Sequence, residues 1–413
     1  MTDPAPKSSS FASRLRGLFG ADRRTQDGSR DRRRAVRSAI GLHLQSGLLS
    51  AAQLDFAADG PTLRALAECD VPPDADDAAI AERLATMIEA HPFLGRRTVS
   101  LVGVQDLIVQ SIRVPMVDGE ERDAIVRAEA AERLPVDPAT VEIRYLPVAE
   151  VRHEDSVRQE VLLLACRREL IARQLRILRL AKLSPAALDL EPAAVMRALA
   201  TPPSQAAFDD QAAGESRPRQ RGIIALSRES LSLTLVESGR ILFVKHLAGG
   251  GRALDTVIAE AMEFPLAEAR RLRLSVAPCR ELDAGDDVHR ALADALSRPL
   301  DAMVRELELC LRYHKVTFRQ PLDSLTLVGC DAAGWIARYI GQRLGLDCLP
   351  GQLGTPGGPI LGQPDAGAAL QPMRWIASVG AALHPRRANH DGLVAGDVTL
   401  RRPDAASFEE AMP

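Results

Sequence analysis

Two stretches of alternating apolar and polar residues, each broken by a Ser-Gly turn, open the two halves of the chain and restrict its fold more than any other feature. The second covers residues 222–251 (GIIALSRESLSLTLVESGRILFVKHLAGGG). Residues 223–236 read as one strand, Ser238-Gly239 as a turn and residues 241–244 as the returning strand. Period-two alternation interrupted by a Gly-containing turn specifies a β-hairpin. Gly249, Gly250 and Gly251 follow at once and lead into a helix from Leu254 onward. The first stretch covers residues 39–54 (AIGLHLQSGLLSAAQL), with Ser46-Gly47 at its tip. A strand–turn–strand unit repeated at the start of each half predicts a duplicated α/β fold.

The remaining segments fill in that pattern. Residues 77–90 space Ile80, Leu84, Met87 and Ile88 along one helical face. Strands are expected at 98–104 and 107–114, then a helix over 120–134 ended by Pro135. Residues 141–146 and 161–166 are strand-like. Residues 168–182 form an amphipathic helix with Ile171, Leu175 and Leu178 inward and a basic stripe of Arg168, Arg173, Arg176, Arg179 and Lys182, read as a solvated face. Residues 188–199 read as a short helix. Residues 201–221, polar and Pro-containing, read as a linker. Helices are expected at 254–263 and 266–274, and a long one at 299–317 with Pro299 in its first turn. A strand at 324–328, a sharp turn at Gly329, a helix at 332–344, a Gly/Pro-rich loop at 351–372 and a helix at 375–383 complete the order. The tail from 384 is polar.

Composition excludes several classes. With 413 residues, 46% apolar and 26% charged, the chain has ample volume for a core. A net charge of −3 and an aromatic content of 3% argue against a nucleic-acid platform. Six scattered cysteines with no CxxC pair fit free thiols in a reducing compartment. The eight histidines show no metal-ligand spacing, so no metal site is expected. No apolar run reaches the ~18 residues that span a bilayer, and no signal-peptide core precedes the fold, which together point to the cytoplasm. Residues 1–38 carry ten Lys/Arg against four Asp/Glu and read as a basic disordered arm.

Taken in order, these segments resemble the actin-like ATPase superfold, and within it the PilM family of type IV pilus assembly proteins, on the branch shared with FtsA. The resemblance covers roughly residues 39–383. It rests on the two hairpins, on IRVP (112–115), AERLPVD (131–137), LLACRRELI (163–171), LDLEPAAVMRAL (188–199), AEARRL (267–272), LTLVGCDA (325–332) and the closing SVGAAL (378–383). It implies a first lobe over 39–200, carrying a small α/β insertion subdomain over about 98–185, and a second lobe over 222–383, with a loose tail at 384–413. Such proteins hold ATP between the lobes, on hairpins of the pattern D-x-G and a Gly-Gly turn at the adenosine. Carboxylates order the oxygen shell of Mg²⁺, and bare glycines let backbone N–H groups reach phosphate.

This sequence departs from that pattern at each place. His43 stands where the first Asp is expected, Gln45 for the Gly and Ser50 for the usual Lys. Ala225 and Ser227 replace the second Asp and Gly. Gly329 keeps the adenosine turn, with Cys330 as its partner. The expectation is a pseudo-ATPase with no catalytic residues and no cofactor, whose residual nucleotide cleft consists of Gly249, Gly250, Gly251 and Gly329. An active ATP-binding ATPase is the alternative, and would need Asp331 or Asp55 to take over the metal. His43 itself reads as a hydrogen-bonded structural histidine. By resemblance, the partner is the cytoplasmic N-terminal tail of a PilN-type inner-membrane protein, docked near 98–114 and 120–134. A peripheral place at the inner membrane and a homo-oligomer or ring follow from the same resemblance, with no nucleic acid. A filament-forming membrane tether is disfavoured by the short acidic end of the sequence.

Overall fold

The computed structural model of the chain describes residues 36–57, 60–72, 74–117, 119–153, 156–199, 219–355, 358–360 and 371–385. The arm at 1–38, the linker at 201–221 and the tail from 384 therefore fall largely outside the described residues.

The chain enters through a two-residue strand, β1 (Val36–Arg37), and a meander of β2 (Ile40–Gln45), β3 (Leu48–Ala57) and β4 (Gly60–Asp70). The expected hairpin is there, with Gly47 in the left-handed region at its tip (φ 82°). Sequence reading passed over β4, an outer strand that pairs antiparallel with β3 along its whole length. Helix α1 (Asp77–Ala90) starts on the Asp76 side chain, which accepts from Ala79 N, and buries Ala81, Leu84 and Met87. β5 (Arg97–Val102) then runs parallel to β2.

A separate three-stranded sheet follows, from β6 (Leu107–Pro115), β7 (Val141–His153) and β8 (Ser156–Arg167), in the order β6-β8-β7. Helix α2 (Gly119–Arg133) covers it through Val126 and Ala130, which join Ile112, Val114, Val161 and Leu163 in a small core of their own. This unit occupies residues 107–167; β5 belongs to the first sheet. Helix α3 (Arg168–Leu180) returns to α1, where Arg173 and Arg176 both pair with Asp77 and turn part of the expected solvated basic face into an interhelical contact.

Residues 188–199, expected as a helix, divide. The first three complete β9 (Ser184–Leu190), parallel to β5, and helix α4 (Glu191–Ala198) begins only where Pro192 sits in its first turn. The expected strand at 223–236 also divides. β10 (Gln220–Leu226) and β11 (Leu231–Glu237) are joined by Ser227-Arg228-Glu229-Ser230, a turn closed by Ser227 N donating to Ser230 O at 2.9 Å. β12 (Arg240–Leu247) then extends the meander across the Ser238-Gly239 turn. Four consecutive polar residues marked this turn, but it lacks the Gly or Pro that signals most breaks.

Helices α5 (Gly251–Met262) and α6 (Leu266–Ser275) precede α7 (Asp287–Phe318), which is longer than expected at its N-terminal end. Asp286 caps it, and Pro299 lies inside rather than at its start, because buried Leu292 and Leu296 continue the apolar stripe upstream. β13 (Ser324–Val328) pairs parallel with β10, α8 (Gly334–Leu344) follows, and β14 (Cys348–Pro350) pairs parallel with β13. Helix α9 (Pro372–Ala382) ends the described fold.

The duplication is explicit in the topology. One sheet runs β4-β3-β2-β5-β9 and the other β12-β11-β10-β13-β14, each an antiparallel meander continued by two parallel strands. Helices α4 and α9 pack at the junction. A Cβ on Gly380 would fall 1.9 Å from Ala194 O, so only glycine permits this backbone approach.

Candidate functional site

Where the sheets face each other, the β2–β3 hairpin, the β10–β11 turn, the loop after β13 and the first turns of α4 and α9 converge. His43, Gln45, Ser50, Ala225, Ser227, Gly329 and Cys330 all line one cavity there, with Glu191 and Arg374. The substituted positions singled out in the sequence thus come together from three separate stretches. The space they leave for the centre of a water-sized sphere is about 10 Å³, close to the ~10–15 Å³ that one water molecule needs.

Gln45 lines the cavity and reaches across it. Its Nε2 lies 3.0 Å from His43 Nδ1 and donates to Ser227 Oγ at 3.2 Å, while its Oε1 accepts from Cys330 Sγ at 3.4 Å. One amide therefore ties the first hairpin to both facing loops of the other sheet. Cys330 and His43 are buried, and burial drives the Cys330 thiol well above its ordinary pKa, the adjacent Asp331 carboxylate adding to the effect. Burial also lowers the pKa of His43, outweighing the nearby Glu191 and Asp106 carboxylates. The imidazole is neutral at pH 7, so its 3.7 Å approach to Glu191 Oε1 is not an ion pair. Glu191 Oε2 accepts from Val104 N at 3.2 Å.

Behind the β10–β11 turn lies a buried ion network that sequence reading missed. Arg273 Nε donates to Asp255 Oδ1 and its Nη2 to Asp331 Oδ1, both at 2.7 Å. All three side chains are 0–1% exposed. Burial alone would raise the Asp331 pKa, but the guanidinium groups of Arg273, Arg270 and Arg228 outweigh it and hold the carboxyl below the ordinary range. The partners are 18 and 58 residues apart, and no local pattern links them.

The four glycines expected to hold nucleotide take different places. Gly329 lines the cavity in a left-handed conformation (φ 116°), and its N–H donates to Met373 O at 2.9 Å. Gly249, Gly250 and Gly251 lie behind the turn. A Cβ on Gly250 (φ 150°) would meet the backbone of residues 228–230 at 2.7–2.8 Å, and one on Gly251 would stand 2.3 Å from Asp331 Cγ. The helix-start N–H groups of Gly251 and Arg252 donate to Ser227 O and Arg228 O at 2.9 and 2.8 Å. These two donors, which would otherwise attract an anion, already have partners.

This donor set does not fit a magnesium triphosphate. Glu191 is the sole carboxylate among the lining residues. Asp331 is held by Arg273, and Asp55 by Arg64 and Arg37. Among the described residues no group of three or more His, Cys, Asp or Glu is placed to hold a metal, and no helix is long and apolar enough to cross a membrane.

Two lobes built on the same strand order, joined through a pair of helices and meeting at paired hairpins, define an actin-like protein. A sequence model for the family described as type IV pilus assembly protein PilM matches residues 70–348, about two thirds of the chain, and the chain belongs to that family. Its fold is similar to that of a PilM–PilN type IV pilus biogenesis complex, with a TM-score of 0.66 and 22% identity over 84% of this chain and 98% of that one. The ethanolamine utilization protein EutJ from Carboxydothermus hydrogenoformans aligns over 84% of this chain and 89% of its own, with a TM-score of 0.46 and 12% identity. No curated protein matches the chain.

Proposed function

We propose that this chain is a scaffold of the type IV pilus assembly platform that works without hydrolysing ATP. The observation that carries the reading is Gln45, which stands where the D-x-G pattern has its glycine, lines the cavity and bonds across it to Ser227 and Cys330. Losing the carboxylates that order metal and water removes several kcal/mol of transition-state stabilisation from phosphoryl transfer.

The partner in this reading is the cytoplasmic N-terminal tail of a PilN-type inner-membrane protein. The likeness to a PilM–PilN complex supports it. So does β6, an outer strand of the small sheet onto which an extended peptide can add by backbone hydrogen bonds. Met116, just beyond β6, is 47% exposed and offers an apolar contact. The protein then lies at the inner face of the membrane through its partner.

Isothermal titration tests both halves. A synthetic PilN-type tail peptide is expected to bind with the same affinity in the presence and absence of Mg-ATP, and Mg-ATP alone to give no binding heat. Magnesium-dependent ATP turnover would overturn the non-hydrolysing reading, and lack of peptide binding would overturn the partner.

A further inference from the structure

The mouth of the cleft is crossed by ion pairs that the assembly role does not use. Glu68 and Asp70 sit two residues apart on β4, and so project from the same face of the strand. Glu68 receives Arg374 Nη2 at 2.8 and 3.0 Å on its two carboxylate oxygens, and Asp70 receives Arg270 Nη1 at 2.7 Å. Arg270 belongs to α6 of the second half. Arg374 donates through its other arm, Nη1, to the Cys330 carbonyl in the loop after β13, at 2.7 Å. One outer strand of the first sheet therefore holds α6 of the opposite lobe directly and, through Arg374 of the junction helix α9, the loop after β13.

The pairs are asymmetric. The arginine side chains are 14–16% exposed, whereas those of Glu68 and Asp70 are 36% and 69% exposed. Salt and solvent reach the carboxylates, while the guanidinium groups stay packed. Beneath them the lobes are joined by the neutral contacts of Gln45, which ionic strength does not screen.

We propose that Glu68 and Asp70 form a salt-sensitive clasp that sets how often the cleft opens. The clasp operates whether or not any nucleotide binds. Exposed pairs of this kind are individually weak and are screened within a Debye length. Neutralising both is expected to raise the open fraction about two- to thirty-fold.

Cys330 reports that opening, because its thiol is buried against Gln45 and its carbonyl is held by Arg374. The experiment is thiol alkylation of the full chain at fixed pH, with each cysteine quantified by peptide mass spectrometry. In the wild type, raising NaCl from low to high ionic strength is expected to speed Cys330 labelling by a few-fold. Buried Cys348, on β14 at the far edge of the second sheet, is expected to keep its rate. In E68Q/D70N, Cys330 is expected to label fast at low salt and to lose its salt dependence. A Cys330 rate unchanged by salt and by the double substitution would overturn the clasp, and so would a parallel rise at Cys348, which signals loosening of the whole fold. The wild-type salt series keeps the proposal testable if the double variant folds poorly.

Discussion

Gln45 has a single amide and three polar neighbours, so its substitution is expected to cost more than a lone surface contact. Gln45→Gly removes the bonds to Ser227 and Cys330; Cys330 Sγ keeps Asp331 Oδ2 at 3.5 Å, but the buried Ser227 hydroxyl loses the Gln45 amide. Such a loss costs about 1–3 kcal/mol, which urea unfolding will show. His43 adds a pH signature. Its folded pKa lies below the ordinary ~6.5 because of burial, so the unfolded chain takes up a proton first as pH falls. The stability it supports is present above pH ~6.5 and is lost toward the lower folded value, with a limiting slope of about 1.4 kcal/mol per pH unit. His43→Gln is expected to flatten the curve of unfolding free energy against pH in that window; an unchanged curve would place the titration elsewhere. These positions were legible in the sequence because each belongs to a short motif of fixed place, from which six depart and which Gly329 keeps, and all seven meet at the cavity. The Arg273–Asp255–Asp331 network was not, since its members belong to different elements and share no spacing.

Helix α7 shows why elements were read with uneven success. Pro299 lacks an N–H and cannot bond the carbonyl four residues back, a defect worth ~3 kcal/mol in a helix interior. The helix continues because Leu292, Leu296, Leu300, Met303, Val304 and Leu307 bury a continuous stripe across the proline. Local signals placed a helix start there, and tertiary packing prevailed. Pro299→Ala is expected to raise stability by up to ~3 kcal/mol, less whatever the freer unfolded chain recovers; calorimetry measures it, and no change in peptide binding should accompany it. Where packing and local signals agree, as in α1 with its Asp76 cap, sequence and structure give the same bounds of 77–90. Where they differ, the element was missed or merged. β4 carries Pro61 near its start and mixed polarity along its length, and the turn at 227–230 has no glycine.

At the scale of the whole molecule, acid should act through buried carboxylates. Asp331 and Asp189 both sit where burial would raise their pKa values, yet their basic partners hold them below the ordinary range: Arg273 for Asp331, His384 and Arg197 for Asp189. Depressed carboxylates contribute stability that is full above pH ~3.9 and falls away as pH drops through the lower folded values. The urea midpoint should therefore fall steeply below pH ~4, and Asp189→Asn should blunt that fall while lowering the midpoint at neutral pH. The duplicated plan itself was legible from the two hairpins, because alternation and turn residues are local. The matching strand order of the two sheets was not, since parallel pairing joins segments such as β2 with β5 and β10 with β13 across long separations. Helix α9 carries one further consequence, for synthesis on the ribosome. It packs Ser378 and Ala382 against Gly41 of β2, so the last helix covers a strand made near the start. At 5–20 residues per second, roughly 10–40 s pass between completion of β9 and emergence of α9. For that interval the nascent first lobe shows the apolar face around Val99 and Leu101 that Ala381 will cover, and a chain halted before residue 372 should stay bound to chaperones rather than be released.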